Sequence, residues 1–523
     1  MAYTTITFLI FALITILMYF AFSKKEYQWV VLLVASYVFY LWANWRFAYY
    51  LLITTVTIYL AGLFMDKIGN EGKAEVAAHK KEWDRTQKKQ YKEIIKKKRR
   101  RILVGTLVLN FGILVFLKYC NFFSFNLILP LGISFYTFQS TGYVIDVYRE
   151  KIGAERNLAK FALFVSFFPQ IIQGPISFYD QLASQLYANH KFDYKNLKYG
   201  LELIVWGYFK KMIIADRAVV LINTVTADYK AYNGTVILLT VLTYALQLYA
   251  DFSGGIDISR GLAEILGIHM VDNFKRPYFS ISINDYWRRW HITLGAWMKN
   301  YVFYSLAMSK TFLQMSKNMK AKIGNTKAGA HVAKVFPTCL ASLITFLIVG
   351  IWHGSNWKYV AFGIWNGGVI MISILLQPVF DKVLEKLKIN AKGQAWHIFR
   401  IFRTFLIVLI GYMFDIGKDF ASAMYMIVRC ITDFSIDFNQ IYTQMKICGL
   451  DSKDYILLMI STIFIFFVSL KQEKNPDKTM RQMLETDYQK KQWIILMLGL
   501  LAIAIFGVYG PGYNASDFVY MQF

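Results

Sequence analysis

Apolar runs near the length of a membrane crossing recur along almost the whole chain. A helix that spans a bilayer needs about 20 mostly apolar residues. Runs of this kind cover residues 4–22, 29–42 and 47–65, then 102–117, 131–148, 158–172, 197–215 and 235–250. A second series covers 336–352, 357–376, 396–414, 455–470 and 493–508. Several carry polar residues, such as Gln139, Asp146, Glu202 and Gln247, and read as helices buried in protein or re-entrant rather than facing lipid. The pattern predicts an all-α polytopic membrane protein of about 11–13 membrane-embedded helices, with all 523 residues in one membrane domain.

Charge sharpens this picture. The chain has 58 Lys and Arg against 33 Asp and Glu, a net +25, yet 56% of its residues are hydrophobic. A nucleic-acid binder has fewer apolar residues, and a disordered chain has fewer aromatics than these 43 Phe, 35 Tyr and 13 Trp. Much of the charge lies between apolar runs: residues 66–101 carry a net +8, and 307–335 carry six Lys and no acid. Basic loops between spans face the cytoplasm. Placing 66–101, Lys24 and Lys25, 307–335, 382–392 and 471–491 on that side threads the chain with both termini outside, 509–523 forming an extracytoplasmic aromatic tail. Segment 66–101 then meets anionic lipid headgroups, and nucleic acid is not an expected partner.

Candidate chemistry is sparse. There is no Walker loop, H-E-x-x-H or G-x-S-x-G motif, and Cys120, Cys339, Cys430 and Cys448 lack metal or disulfide spacing and read as small buried side chains. No metal is expected. Met1 to Ile6 lacks a basic start, so the first run is expected to be retained as a span. Of the seven His, His79 and His190 lie in polar stretches and read as solvated, and His269, His331 and His397 lie near helix ends. His353 closes an apolar run and precedes Gly354, which lets a substrate approach the backbone. His291 ends Asn284-Asp285-Tyr286-Trp287-Arg288-Arg289-Trp290-His291. Each imidazole reads equally as a buried hydrogen-bonded group or as a general base. The Arg and Trp of this segment read equally as an anion-binding, ring-stacking surface or as an interfacial amphipathic helix.

The chain resembles the membrane-bound O-acyltransferases. The resemblance rests on Pro130-Leu131-Gly132-Ile133-Ser134-Phe135-Tyr136, on Phe168-Pro169-Gln170 with Gln173-Gly174-Pro175-Ile176, and on Tyr249-Ala250-Asp251-Phe252-Ser253-Gly254-Gly255 with Asp257. Its strongest segments are 276–304 and Trp352-His353-Gly354 through Trp365-Asn366-Gly367. It is closer to the bacterial alginate O-acetylation branch than to the teichoic-acid D-alanylation branch, with Met521 standing where the ending is usually aromatic.

The resemblance implies a fold with a central tunnel, His353 as the catalytic histidine and His291 as a second essential polar position. Arg288, Arg289, Trp287, Asn284, Asn356 and Asp251 become donor- or substrate-binding candidates, and Tyr520 an acyl-relay candidate that composition alone would read as an interfacial anchor. The function expected is transfer of an acyl group, acetyl first, from a cytosolic thioester such as acetyl-CoA to an extracytoplasmic polysaccharide. No tightly bound cofactor is implied. An extracytoplasmic esterase-like acetyltransferase is the expected partner, and the site the bacterial cytoplasmic membrane. Two alternatives stand: D-alanyl transfer from an acyl carrier protein, and, in another class, transport of an envelope precursor.

Overall fold

Apolar runs become helices because lipid offers no partner for backbone N–H and C=O groups, and a helix satisfies them internally. The computed structural model describes residues 3–22, 26–119, 130–485, 489–510 and 513. Lys24, Lys25, Cys120 and Tyr520, with the rest of the ending 517–523, lie outside the described residues. Among those described every regular element is helical. Among the described residues, seven helices are long and apolar enough to span a membrane: Trp45–Ala78, Arg85–Tyr119, Gly234–Ile265, Lys327–His353, Trp357–Leu375, Gln394–Ile416 and Ser452–Lys474. Shorter apolar helices occupy Ile6–Ala21, Gln28–Ala43, Phe420–Thr432 and Lys491–Phe506. The chain is a multi-pass, all-α membrane protein. Its described residues group into two compact units, one from 1–204 and 256–271, the other from 205–255 and 272–514.

In the first unit, Ile133–Tyr148 is buried along nearly its whole length. Its Gln139 donates to the Phe164 carbonyl (2.7 Å) and accepts from Gln170 (2.7 Å). Gly132 starts this helix with φ +67°, and a Cβ there would sit 2.0 Å from the Ile171 carbonyl oxygen, so only glycine fits. The run 158–172 is not one helix. It breaks at Phe167 into Leu158–Ser166 and Phe168–Ile171, because Pro169 supplies no N–H and starts a new turn. The Phe168 N–H released by the break donates to Ser36 Oγ (3.1 Å).

The charged stretch 66–101 is helical too. Ala48–Ala78 and Arg85–Tyr119 carry their charged ends into an antiparallel hairpin. Its turn is closed by reciprocal bonds: Gln87 N–H donates to Asp84 Oδ1 (2.7 Å), and Asp84 N–H to Gln87 Oε1 (2.9 Å). Glu150 receives Lys73 (2.7 Å) and Arg99, so the Lys73 ammonium, and then Arg99, hold its carboxyl below the usual range. His190 departs from the solvated reading: it is half-buried, and its imidazole Nε2 lies 2.8 Å from the Gln185 carbonyl oxygen.

The second unit has a core of Ile213, Ile214, Leu221, Val236, Met426 and Leu458. The run 197–215 belongs to a longer helical stretch in which Tyr194–Tyr208 passes into a π-helical turn at Phe209–Ala215. Cys339 and Cys448 are buried here.

Candidate functional site

Residues 273–297 form a short, heavily cross-braced segment of the second unit. Arg276 (φ +48°) and His291 (φ +45°) both adopt the left-handed conformation, which is unfavourable for residues with a Cβ. Between them Ser282 caps the helix Ile283–Arg289 through the Asp285 N–H (3.1 Å). The two ends are clasped by one carboxylate: Glu473 accepts Arg276 Nε (2.6 Å) and Arg289 Nη1 (2.9 and 3.0 Å). Asp285 also accepts Arg289 Nε (3.2 Å). Tyr286 and Tyr278 tie the segment to Tyr412, with hydroxyl separations of 2.7 and 3.1 Å.

His291 is buried at the start of Ile292–Trp297. Its Nδ1 lies 3.1 Å from Asn273 Nδ2, and the edge of Phe252 meets its ring at 4.8 Å. Burial pushes this imidazole far below its ordinary range, to about 3, and a charge on His353 acts in the same direction. It is therefore neutral at physiological pH.

His353 is the last residue of Lys327–His353 and is 7% exposed. Trp352 (4.9 Å between centroids), Phe362 (5.4 Å) and Tyr359 (6.0 Å, near-parallel) wall its ring. A Cβ on Gly354 would fall 2.5 Å from the Tyr359 ring, so glycine is what lets that ring close over the turn. Phe362 also meets Trp287 (6.2 Å), whose indole N–H donates to Asn366 Oδ1 (3.0 Å). His353, Phe362 and Trp287 thus form a contact chain joining the helix end to the 273–297 segment.

The other candidates separate into two groups. Asn284 and Arg288 are exposed on the short helix. Arg289, Asn356 and Asp251 have structural partners instead. Arg289 is held by Glu473 and Asp285 as above. Asn356 caps Trp357–Leu375 by accepting the Lys358 N–H (3.0 Å). Asp251 is buried against Lys211 (2.6 Å), which also pairs with Asp216 (2.8 Å). Three residues that sequence reasoning missed are Asn273, Tyr359 and Phe362. Nothing in the spacing singles them out, because their contacts depend on left-handed or helix-end turns.

The described residues thus form a multi-pass helical protein with two buried imidazoles, one before the short helix Ile292–Trp297 and one at the end of Lys327–His353. Residues 104–319 match the membrane-bound O-acyltransferase family. The chain is 32% identical over 433 residues to "Probable alginate O-acetylase AlgI" of Pseudomonas aeruginosa, covering 79% of this chain and 71% of that protein. It is 29% identical to the protein of the same name from Pseudomonas putida, covering 96% of both. It is 30% identical to the "Peptidoglycan O-acetyltransferase" of Helicobacter pylori, covering 62% of this chain and 63% of that protein. The chain belongs to the membrane-bound O-acyltransferase family, within its alginate O-acetylase-like branch, and is an enzyme of acyl transfer rather than a transporter.

Proposed function

We propose that this protein passes an acetyl group from a cytosolic thioester, acetyl-CoA, through the membrane for O-acetylation of an extracytoplasmic polysaccharide. The observation that carries this reading is His353, a buried imidazole walled by aromatic rings at the end of a spanning helix, with a second buried imidazole, His291, within electrostatic reach. Support for the acceptor class comes from relatives named for O-acetylation of alginate and of peptidoglycan.

In the proposed step His353 is the general base. An acceptor hydroxyl attacks the thioester carbonyl carbon and gives its proton to His353. The new C–O bond forms, the C–S bond breaks, and the proton passes to the departing sulfur. The acceptor is the hydroxyl of Tyr520 on the tail, giving an aryl ester reactive enough for an esterase-like extracytoplasmic partner to move the acetyl group to the polymer. The protein resides in the bacterial cytoplasmic membrane with both termini outside. The basic segment 66–101 faces anionic headgroups on the inner side.

The test uses purified protein in vesicles given radiolabelled acetyl-CoA or an acyl-loaded carrier protein. Label on the protein from acetyl-CoA, lost in Tyr520→Phe and His353→Ala, is the expected result. Labelling only from the carrier would transfer the reading to D-alanyl-type chemistry. Labelling unchanged in Tyr520→Phe would remove the relay, and labelling unchanged in His353→Ala would remove the base.

A further inference from the structure

The two buried histidines need not share a role, and the hydrogen bonds around His291 decide what it can do. The amide of Asn273 is the key. Its Oδ1 accepts from the Thr293 backbone N–H (2.9 Å) and from the Thr293 hydroxyl (2.9 Å). A backbone N–H can only donate, so the carbonyl end of the amide is fixed on the Thr293 side, and both of its lone pairs are engaged. The NH2 end is then presented to His291, where Nδ2 lies closer to Nδ1 (3.1 Å) than Oδ1 does (3.3 Å). An NH2 group only donates, so Nδ1 accepts. A neutral imidazole carries one proton, and that proton is left on Nε2.

The clamp is tight. Asn273, His291 and Thr293 are all buried, and the Asn273 backbone carbonyl accepts the Ile292 N–H (3.0 Å). One asparagine thus holds His291, which makes the left-handed turn, and the two residues that follow it.

We propose that Asn273 is a positioning residue that locks His291 as its Nε2–H tautomer, making His291 a fixed hydrogen-bond donor to the acyl carbonyl oxygen. The proposal rests on the acyl-transfer reading above. A nitrogen that already carries the proton cannot take one from the acceptor hydroxyl, so the base role falls to His353 alone. As the hydroxyl attacks, negative charge grows on the thioester carbonyl oxygen, and a donor in a dry site stabilises it strongly. The C–O bond forms, the C–S bond breaks, the hydroxyl proton travels by way of His353 to sulfur, and His291 keeps its own proton throughout.

The test is nitrogen-15 NMR of histidine-labelled full-length protein in lipid nanodiscs, with the His291 signals assigned by their loss in His291→Gln. The wild-type protein is expected to show a pyridine-type Nδ1 and a pyrrole-type Nε2 for His291. The reverse pattern, or two pyrrole-type nitrogens at neutral pH, would overturn the tautomer. This measurement does not depend on turnover, so its failure is separate from failure of the acyl-transfer reading. Asn273→Asp keeps the size of the side chain but faces Nδ1 with an acceptor. It should make Nδ1 pyrrole-type and lower kcat by about 10²–10³-fold, the range for losing one such donor, with KM for the donor little changed. An exchanged tautomer with kcat unchanged would overturn the donor role. His291→Gln restores an N–H donor and should retain more activity than His291→Ala; equal activities would also count against the donor role.

Discussion

His291 and His353 belong to the same unit, and both are buried, yet their surroundings differ in kind. His291 faces an amide whose orientation is dictated by a backbone N–H, and it starts a helix from a left-handed turn. His353 ends a spanning helix among three rings. A directional hydrogen bond fixes where a proton sits. An aromatic wall excludes water and fixes a ring's position. The difference is the ground on which the proposal assigns two buried histidines different work, His291 to hold a proton and His353 to exchange one.

The largest effect that would break this comparison is expected at His353. His353→Ala should lower polymer O-acetylation by about 10²–10⁴-fold, the usual contribution of a general base, while the protein still accumulates in the membrane. Acetate released from the polymer and an immunoblot of membranes measure both. Normal acetylation would return His353 to packing.

Next comes the wall itself. Gly354→Ala puts a methyl group where the Tyr359 ring lies. We expect kcat to fall about 10²-fold from a displacement of roughly 1 Å, with the imidazole still present. Unaltered turnover would mean that the ring position does not matter.

A third effect concerns pH and separates the two residues thermodynamically. The His291 imidazole stays neutral in the folded protein down to about pH 3, whereas in the unfolded chain it takes up a proton below about 6.5. Between those values the unfolded state binds more protons, so His291 makes stability fall as pH falls, by about 1.4 kcal/mol per unit at most. His291→Gln should flatten this slope in thermal unfolding measured from pH 6 to 4. An identical slope would place the His291 ring in contact with water.

The smallest effect is expected at Arg288, which is exposed on the short helix beside the ion-paired Arg289. Arg288→Ala should raise KM for an anionic thioester donor a few-fold with kcat unchanged, the signature of uniform binding. A change in kcat instead would draw Arg288 into the chemistry.

Much of the architecture was legible because lipid imposes a simple rule on backbone polarity. Most of the apolar runs appear as helices, and Gln139, Asp146 and Gln247 are buried as their unusual polarity implied. The run 158–172 misled because its apolar character continues through Phe167 and Phe168 while Pro169 stops the backbone pattern. The helical hairpin within 66–101 was hidden by charge, which reads as a solvated loop whether or not the chain is helical. His353 stood out as an imidazole closing an apolar run. Asn273 did not, because its bond crosses 18 positions and passes through a conformation no local pattern encodes. Neither was it legible that Arg289 would be held by Glu473, 184 positions away, while its neighbour Arg288 would stay exposed.

Glu473 brings a consequence for how this protein tolerates change. It fastens Arg276 and Arg289 with one carboxylate, so the intervening loop behaves as a buckle with a single tongue. Altering either arginine leaves the other alone on an acid that had held two. A mutational scan of the family should therefore find this distant acid behaving as though it belonged to the site, and changes at 276, 289 and 473 surviving together more readily than apart.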